Sequence, residues 1–542
     1  MSDTSALIAP ATEALTIESN WFAASGRGID DELLQWPPDI FAFAHVALDR
    51  AEAYRFVVSP PAGHEWPPTP SWSEDVASAA TSWRQWTQHP LGDPPDLVMR
   101  EWEVVRSAAT TSLDDLASGR EWRICTALLT LHAISDQAAV HEPSNVDRDE
   151  DGEPAFNARS RDMLRRTGSM SRIHPGLLRV LPKYRTPPGG ITSRSIARYG
   201  FVTGPAVDVR VNQFAEADAE PRSGECNVLL LPWPLQVTAA DFRPVDGSIH
   251  ERDIEPYGYF KFSPAEHVDA SLADRVLTAA RERAERIDLV VLPESSVSEA
   301  DLDALEAVLA RHGVSMVIAG VREEGHESGE FPANWIHFGA LADGRWTHYR
   351  QDKHHRWSLD PRQIAQYHLD EVLDPRVRWW EALQLRRRSL HLMECPSGLT
   401  LAALVCEDLA HMDDVAELLR NLGPALLMPL VLDGPQLASR WTARYASIFA
   451  DDPGSAVLTL SSHGMVRRSW KEGQPPSSVV ALWRDPATGV HELELAAGAQ
   501  ALLVTADRMT AIRRAADGRS PELDVADLKL AKVTQIRAAE KL

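Results

Sequence analysis

An apolar run that ends at a cysteine is the feature that most constrains this chain. Residues 399–405 are almost entirely apolar and lead directly into Cys406, after which Glu407 and Asp408 precede a helical pattern over 410–422. This pattern is typical of a buried strand that delivers a thiol to a sharp turn. The N–H groups that open the next helix lower a thiol pKa, so Cys406 is a candidate nucleophile. The alternative is that Cys406 is a small buried apolar residue.

Two upstream segments end in a similar way. The apolar run 287–292 is followed closely by Glu294, and the strand-like segment 348–352 is followed by Lys353. A carboxylate that emerges from an apolar strand is expected to have a raised pKa, which suits a general base near neutral pH. The alternative for these two residues is an ordinary salt bridge.

The order Glu294, Lys353, Cys406, with each residue at the end of a strand, resembles the nitrilase or carbon–nitrogen hydrolase superfamily over about residues 205–515. The alternation of strands and helices in this part predicts an α/β fold, an α-β-β-α sandwich, and the resemblance implies the same fold. The resemblance also implies that Cys406 attacks a substrate carbon, that Glu294 is the base, and that Lys353 stabilises the oxyanion.

Many members of that family carry a second glutamate shortly after the lysine. The candidates in this chain are Asp360, Gln363 and Glu371, of which we favour Glu371. Gln363 would leave that role without a base.

Three further residues are candidates for the oxyanion site or the substrate pocket: Glu407, Tyr445 and His354. The backbone N–H of Glu407 is expected to hold the oxyanion together with Lys353. Packing is an equal alternative for Tyr445. Adjacent histidines in a strand point to opposite faces, so His354 and His355 are not expected to bind a metal together.

The chain is expected to divide into four parts, which differ in charge and periodicity. These are a mainly helical, Trp-rich domain of unknown role (1–140), a linker with a basic segment (141–204), the hydrolase-like domain (205–515) and a tail helix (516–542). The tryptophans of the first part are interpreted as helix packing, with an aromatic binding surface as the alternative. The basic segment is interpreted as a solvated face, with a phosphate or nucleotide patch as the alternative.

Composition excludes several classes of function. The net charge of −23 opposes general nucleic-acid binding and association with anionic membranes. The four cysteines are scattered and form no CxxC pair, which indicates a reducing cytoplasm and predicts neither a metal site nor another cofactor. No signal peptide or membrane-spanning run is visible. The expected partners are a small-molecule substrate and further copies of the chain in a homo-oligomer, with a protein or nucleotide partner at the N-terminal part as a further candidate.

These observations predict a hydrolase of a non-peptide carbon–nitrogen bond, with an amide favoured over a nitrile. One alternative is a nitrilase-fold effector or sensor module of a bacterial conflict system, gated by a partner or ligand. Another is a catalytically silent scaffold. A glutamine amidotransferase is disfavoured because no nucleotide-binding glycine loop is visible to serve a synthetase domain.

Overall fold

The computed structural model describes residues 16–17, 29–88, 92–138, 178–187, 191–213, 224–250, 255–324, 331–395, 398–411, 413–470, 473, 475–513, 515–519 and 523–539. The chain forms two compact units, one made of residues 1–205 and 512–525 and the other of residues 206–511 and 526–542. Both helices and sheets are present, which confirms the mixed α/β prediction.

The described part of the first unit is built mainly from helices. They are Pro37–Arg50 (α1), Trp72–Gln88 (α2), Asp96–Ser107 (α3), Leu113–Ala117 (α4), Trp122–Ala138 (α5) and Ser193–Ile196 (α6), with 3-10 turns at Asp31–Gln35 and Ala53–Val57. Two short antiparallel strands, Arg179–Pro182 (β1) and Gly200–Thr203 (β2), join them. Trp83 and Trp102 are fully buried in the core of this unit, which agrees with the interpretation of these tryptophans as helix packing.

The basic segment within 141–204 was expected to be a linker with a solvated face, and this expectation is wrong for its described residues. Lys183, Arg185 and Arg198 are buried, and the segment forms β1, α6 and β2 of the first unit. The reason lies on α5. The buried carboxylate of Asp136 accepts backbone N–H bonds from Arg198, Tyr199 and Gly200, which fastens the start of β2 to that helix.

The remaining strands follow in chain order. They are Asp208–Gln213 (β3), Glu225–Leu230 (β4), Phe242–Pro244 (β5), Tyr257–Phe262 (β6), Leu289–Ser298 (β7), Met316–Arg322 (β8), Asn334–Ala342 (β9), Arg345–Asp352 (β10), Ser358–Leu359 (β11), Arg378–Glu381 (β12), Ser389–Glu394 (β13), Thr400–Val405 (β14), Leu426–Val431 (β15), Ala456–Ser461 (β16), Val479–Asp485 (β17), Gly489–Glu494 (β18), Ala501–Arg513 (β19) and Leu523–Ile536 (β20).

The helices of the second unit lie between these strands in the chain. They are Ala270–Arg281 (α7), Leu302–Arg311 (α8), Pro361–Gln366 (α9), Glu407–Ala410 (α10), Val415–Leu422 (α11), Trp441–Asp451 (α12) and His463–Arg468 (α13), with 3-10 turns at Ala239–Asp241 and Glu299–Asp301.

Two seven-stranded sheets organise the second unit. The first has the order β10-β9-β8-β7-β4-β19-β20, and the second has the order β18-β17-β16-β15-β14-β13-β3. A smaller sheet, β11-β12-β6-β5, accompanies them. In the second sheet β14, β15 and β16 run parallel, so residues that follow these strands emerge at the same edge.

The main core of the second unit lies between the two seven-stranded sheets. Val228 and Leu230 of β4 share one apolar cluster with Ala403 of β14 and Leu430 of β15. The alternate residues of β4 belong to a second cluster together with α7 and α8, which therefore cover the outer face of the first sheet. Helix α12 packs against β16 and β17 of the second sheet.

The predicted tail helix is wrong, because the structure has the strand β20 there. Leu528 and Leu530, two positions apart, join the core between the sheets, which is the period of a strand rather than of a helix. At the edge of the first sheet, β20 forms backbone hydrogen bonds with β19. Tertiary pairing therefore overrides the amphipathic helical pattern of the segment.

Among the described helices, none has both the length and the apolar character needed to cross a lipid bilayer.

Candidate active site

Strand β7 carries Glu294 on a bulge. Regular pairing with β8 stops at Leu292 and resumes at Val297. Four residues of β7 therefore lie opposite a single residue of β8, Gly320. A Cβ atom added to Gly320 would lie 2.4 Å from the Cα of Glu294, so only glycine lets the bulge approach β8 this closely. The local sequence thus turns the glutamate out of the regular strand pattern.

The Glu294 carboxylate is buried and accepts three hydrogen bonds. The Lys353 Nζ lies 2.6 Å and the Asn334 Nδ2 2.9 Å from Oε1, and the backbone N–H of Leu432 lies 2.8 Å from Oε2. Burial raises the pKa of Glu294, the Lys353 ammonium opposes the rise, and the pKa remains above its usual range. The carboxylate is thereby held in one orientation and tuned towards proton exchange.

Lys353 follows β10 directly and is 1% exposed. Its Nζ bridges Oε1 of Glu294 and Oε2 of Glu381, at 2.6 and 2.5 Å. Burial lowers the pKa of Lys353, but the two carboxylates outweigh burial and hold this pKa well above its usual range. The ammonium therefore remains charged at neutral pH.

The second acid at the lysine is Glu381, and the prediction of Glu371 is wrong. Glu371 is exposed in the turn after α9, whereas Glu381 ends β12 and also accepts hydrogen bonds from Asn334 Nδ2 and the Trp357 backbone N–H. The other two candidates, Asp360 and Gln363, form a capping box at the start of α9. The pairing of β12 with β6 and β11, which has no simple sequence signature, decides the position of Glu381.

Cys406 lies where the sequence predicts, at a sharp turn between β14 and α10. Its φ of +40° is a strained conformation for a residue with a side chain, and its N–H bonds to the Leu430 carbonyl at 2.9 Å. Contrary to our expectation, the pKa of the thiol is raised well above its usual range. Burial is the main cause, Glu294 adds to the rise, and Lys353 opposes it. Helix α10 has only four residues, so its N-terminus cannot offset burial beside a carboxylate.

Glu294, Lys353 and Cys406 are therefore brought together in one buried, electrostatically coupled cluster. No protein-family model matches the chain, and no curated protein matches it. Similar solved structures do exist. The chain resembles members of the nitrilase superfamily.

One is Saccharomyces cerevisiae Nit3, a member of branch 10 of the nitrilase superfamily, with 13% identity and a TM-score of 0.32 over 51% of this chain and 88% of that chain. Another is a carbon–nitrogen hydrolase from Helicobacter pylori G27, with 13% identity and a TM-score of 0.31 over 52% and 89%. The C. elegans NitFhit protein has 14% identity and a TM-score of 0.29 over 49% and 57%.

The three predicted pocket residues have different surroundings. Glu407 opens α10 directly after the cysteine, and burial raises the pKa of its carboxyl. The Tyr445 hydroxyl donates to the Ala410 carbonyl at 3.2 Å, and the His354 Nδ1 lies 3.0 Å from the Arg386 carbonyl oxygen. Within the described contacts, neither of these two side chains hydrogen-bonds to the buried cluster.

Sequence reasoning missed Asn334 and Asp433. Asn334 begins β9 and bonds to both Glu294 and Glu381, which links the two carboxylates. Asp433 follows β15 and accepts hydrogen bonds from Arg440, Trp441 Nε1 and the Tyr367 hydroxyl. A signal for Asp433 was present, since a polar residue that follows the strand parallel to β14 emerges at the same edge as Cys406.

Proposed function

We propose that the second unit is a carbon–nitrogen hydrolase of the nitrilase type that acts on non-peptide amides through a cysteine nucleophile. The observation that carries this proposal is the Lys353 ammonium, which is buried between two carboxylates next to a strained cysteine. Burial of such ions costs several kcal/mol each, and apolar replacements for buried ion clusters often stabilise proteins by about 1–4 kcal/mol. A purely structural role for the cluster is therefore a poor explanation.

In the proposed first step, the Glu294 carboxylate takes the proton of the Cys406 thiol while sulfur attacks the amide carbon. The C–S bond forms and the C=O π pair moves to oxygen. Because the pKa of this thiol is raised, the resting cysteine is protonated, and a nearby base is needed to remove its proton. The developing oxyanion would be held by the Lys353 ammonium and by the Glu407 N–H, which is in the first turn of α10 and has no acceptor within that helix.

Collapse of the tetrahedral species breaks the C–N bond, and the amine leaves with the proton that Glu294 returns. The product on the enzyme is a thioester of Cys406. Glu294 then removes a proton from water as the water attacks the thioester, and the thiol is regenerated with release of a carboxylic acid. Glu381 orients Lys353 throughout.

The charge of the site indicates which amides it would accept. Four carboxylates, those of Glu294, Glu381, Glu407 and Asp433, contribute to the electrostatics around the cysteine or its lysine, against the Lys353 and Arg440 cations. An amide that carries a negative charge near the scissile bond would be repelled. We therefore propose an uncharged or cationic amide as substrate.

The test uses the full-length chain with a panel of neutral, cationic and anionic amides and matching nitriles, with ammonia or amine release as the readout. Cys406→Ala is compared with Cys395→Ala, which removes another buried thiol, adjacent to β13. We expect turnover in wild type and Cys395→Ala only, and a thioester adduct on the Cys406 peptide by mass spectrometry. Release from Cys406→Ala at the wild-type rate, or the absence of wild-type turnover across the panel together with no thioester adduct on the Cys406 peptide, contradicts the proposal.

A further inference from the structure

Another buried carboxylate, that of Glu306, lies on the outer side of the first sheet. Glu306 of α8 is 3% exposed, and it faces the hairpin formed by β9 and β10. Its Oε1 lies 2.7 Å from the Nε2 of His337, and its Oε2 lies 3.0 Å from the Nε2 of His348. The two imidazole rings have centroids 5.0 Å apart.

The three side chains can approach one another because Gly339, which lies beside them, has no side chain. A Cβ atom added to Gly339, directly across the hairpin from His348, would lie 2.9 Å from Oε1 of Glu306 and 3.0 Å from Nε2 of His337. His337 is buried, whereas the side chain of His348 is 49% exposed. The cluster thus has a buried floor and one side open to solvent.

We propose that Glu306, His337 and His348 form a binding site for a divalent transition metal of the Zn²⁺ class. Two imidazole nitrogens and a carboxylate oxygen are ligands that such ions prefer, whereas Mg²⁺ and Ca²⁺ prefer oxygen alone. The three ligand atoms lie within 4.8 Å of one another. A tetrahedral ion with bonds of about 2.0–2.1 Å separates its ligands by about 3.3 Å. Oε1 of Glu306 and Nε2 of His337 lie 2.7 Å apart, so this pair must separate by about 0.6 Å, and the exposed His348 ring must rotate to complete the ligand set.

The metal would have a structural consequence for the catalytic cluster without being part of it. His337 lies on β9, which begins with Asn334, and His348 lies on β10, which leads into Lys353. An ion held by both histidines and by Glu306 would tie α8 to this hairpin. The fourth position of the ion would face solvent on the side of His348.

The competing explanation is a metal-free cluster in which Glu306 simply accepts hydrogen bonds from two imidazoles. The structure offers a matched case for comparison. His312, which directly follows the same helix α8, has its Nε2 2.9 Å from Oδ1 of Asp274, and among the described residues no second histidine completes a ligand set with this pair. His312→Ala removes a more exposed histidine–carboxylate pair, in which Arg311 also contacts Asp274, without touching the proposed ligands.

The experiment measures Zn²⁺ binding to the chelator-treated full-length chain by calorimetry, and Co²⁺ binding by its visible absorption. Cys406→Ala serves as the background, so that the thiol cannot contribute. We expect one equivalent with absorption typical of low coordination number and a thermal midpoint raised by about 3 °C or more at saturating Zn²⁺. His348→Ala should weaken binding by about 100-fold and remove the thermal shift, and His312→Ala should change neither.

His348 is half exposed, so its replacement should leave the fold intact, and Glu306→Gln provides a second ligand variant. The proposal is overturned if no stoichiometric ion binds, or if His348→Ala and Glu306→Gln bind as tightly as the background protein. Either result leaves the hydrogen-bonded cluster as the explanation. Since the readouts are binding and thermal stability, the outcome is independent of the proposed amidase activity.

Discussion

Glu294 and Glu306 are two buried carboxylates that lie 12 positions apart in the chain (306 − 294) and draw their partners from the same hairpin. Asn334 and Lys353, at one end of that hairpin, bond to Glu294. His337 and His348, further along its strands, contact Glu306. One piece of scaffold therefore supports two polar clusters.

The two clusters differ in the chemistry of the partner groups. Glu294 faces an ammonium that remains charged, and a thiol lies in the same electrostatic cluster. Glu306 faces two imidazoles, which can present unprotonated nitrogens to a metal. Burial of a carboxylate alone therefore does not define a function. In the functions proposed above, the partners decide whether the carboxylate exchanges protons with a nucleophile or completes a ligand set.

The largest expected difference is in the loss of activity when each of the two carboxylates is replaced. Glu294→Gln removes the proposed base, so we expect kcat/KM for a responsive amide to fall by about 1,000-fold or more. Glu306→Gln acts only through the hairpin and should cost less than about tenfold. Steady-state amine release measures both variants. Equal losses would remove the distinction between the clusters.

The glycines beside the two carboxylates should differ in their effect on stability. Gly320→Ala places a Cβ atom 2.4 Å from backbone atoms of the β7 bulge, which must then shift, so we expect about 3 kcal/mol of destabilisation. Gly339→Ala meets side-chain atoms of Val317, Glu306 and His337 rather than backbone atoms, and should cost about 1 kcal/mol. Urea unfolding of the full-length variants checks the order, and the reverse order would contradict the rigidity assigned to the bulge.

Glu381, which contacts Lys353, and Glu371, which does not, provide a sharper test of the buried cluster. Glu381→Gln removes one of the two negative charges that contact the Lys353 ammonium. We expect kcat to fall by about 100-fold with little change in KM. Glu371→Gln alters an exposed turn and should leave kcat within about twofold. Amine-release kinetics of the two variants decide between them, and a larger effect of Glu371→Gln would restore the sequence prediction.

The pH dependence of cysteine alkylation reports on the same comparison. The Glu294 carboxylate raises the pKa of Cys406, so Glu294→Gln should lower that pKa and shift the alkylation midpoint to lower pH although turnover is lost. Burial raises the pKa of Cys125 and of Cys226 to about 12, and Glu294→Gln should leave the alkylation of both unchanged. Peptide mass spectrometry with iodoacetamide gives the midpoints, and Glu306→Gln should leave that of Cys406 unchanged. An upward shift in Glu294→Gln would contradict the assigned coupling.

The smallest expected effect concerns His348 in the absence of metal. Because this side chain is half exposed, His348→Ala should change the free energy of unfolding by less than about 0.5 kcal/mol after chelation. A large destabilisation of the chelated protein would show that the imidazole supports the fold by itself. Urea unfolding with and without added Zn²⁺ distinguishes the two roles.

The local sequence was sufficient to predict the strands that carry or precede Glu294, Lys353 and Cys406, but Glu294, predicted at a strand end, lies on a bulge within β7. Continuous apolar runs before Glu294 and Cys406 predicted buried strands, and the structure has β7 and β14 there. Local signals also predicted the turn at Cys406. These features depend on residues close in the chain, so hydrophobic pattern and turn chemistry determine them.

Tertiary pairing decided the rest. Glu381 reaches Lys353 because β12 pairs with β6 and β11, and the tail became β20 because it pairs with β19. The thiol pKa is raised because side chains from distant segments exclude water around it. The register of a hairpin and the packing of a helix on it bring together His337, His348 and Glu306. No local sequence motif therefore predicts this cluster. Contacts between residues far apart in the chain depend on how whole elements pack, and a one-dimensional pattern does not encode that packing.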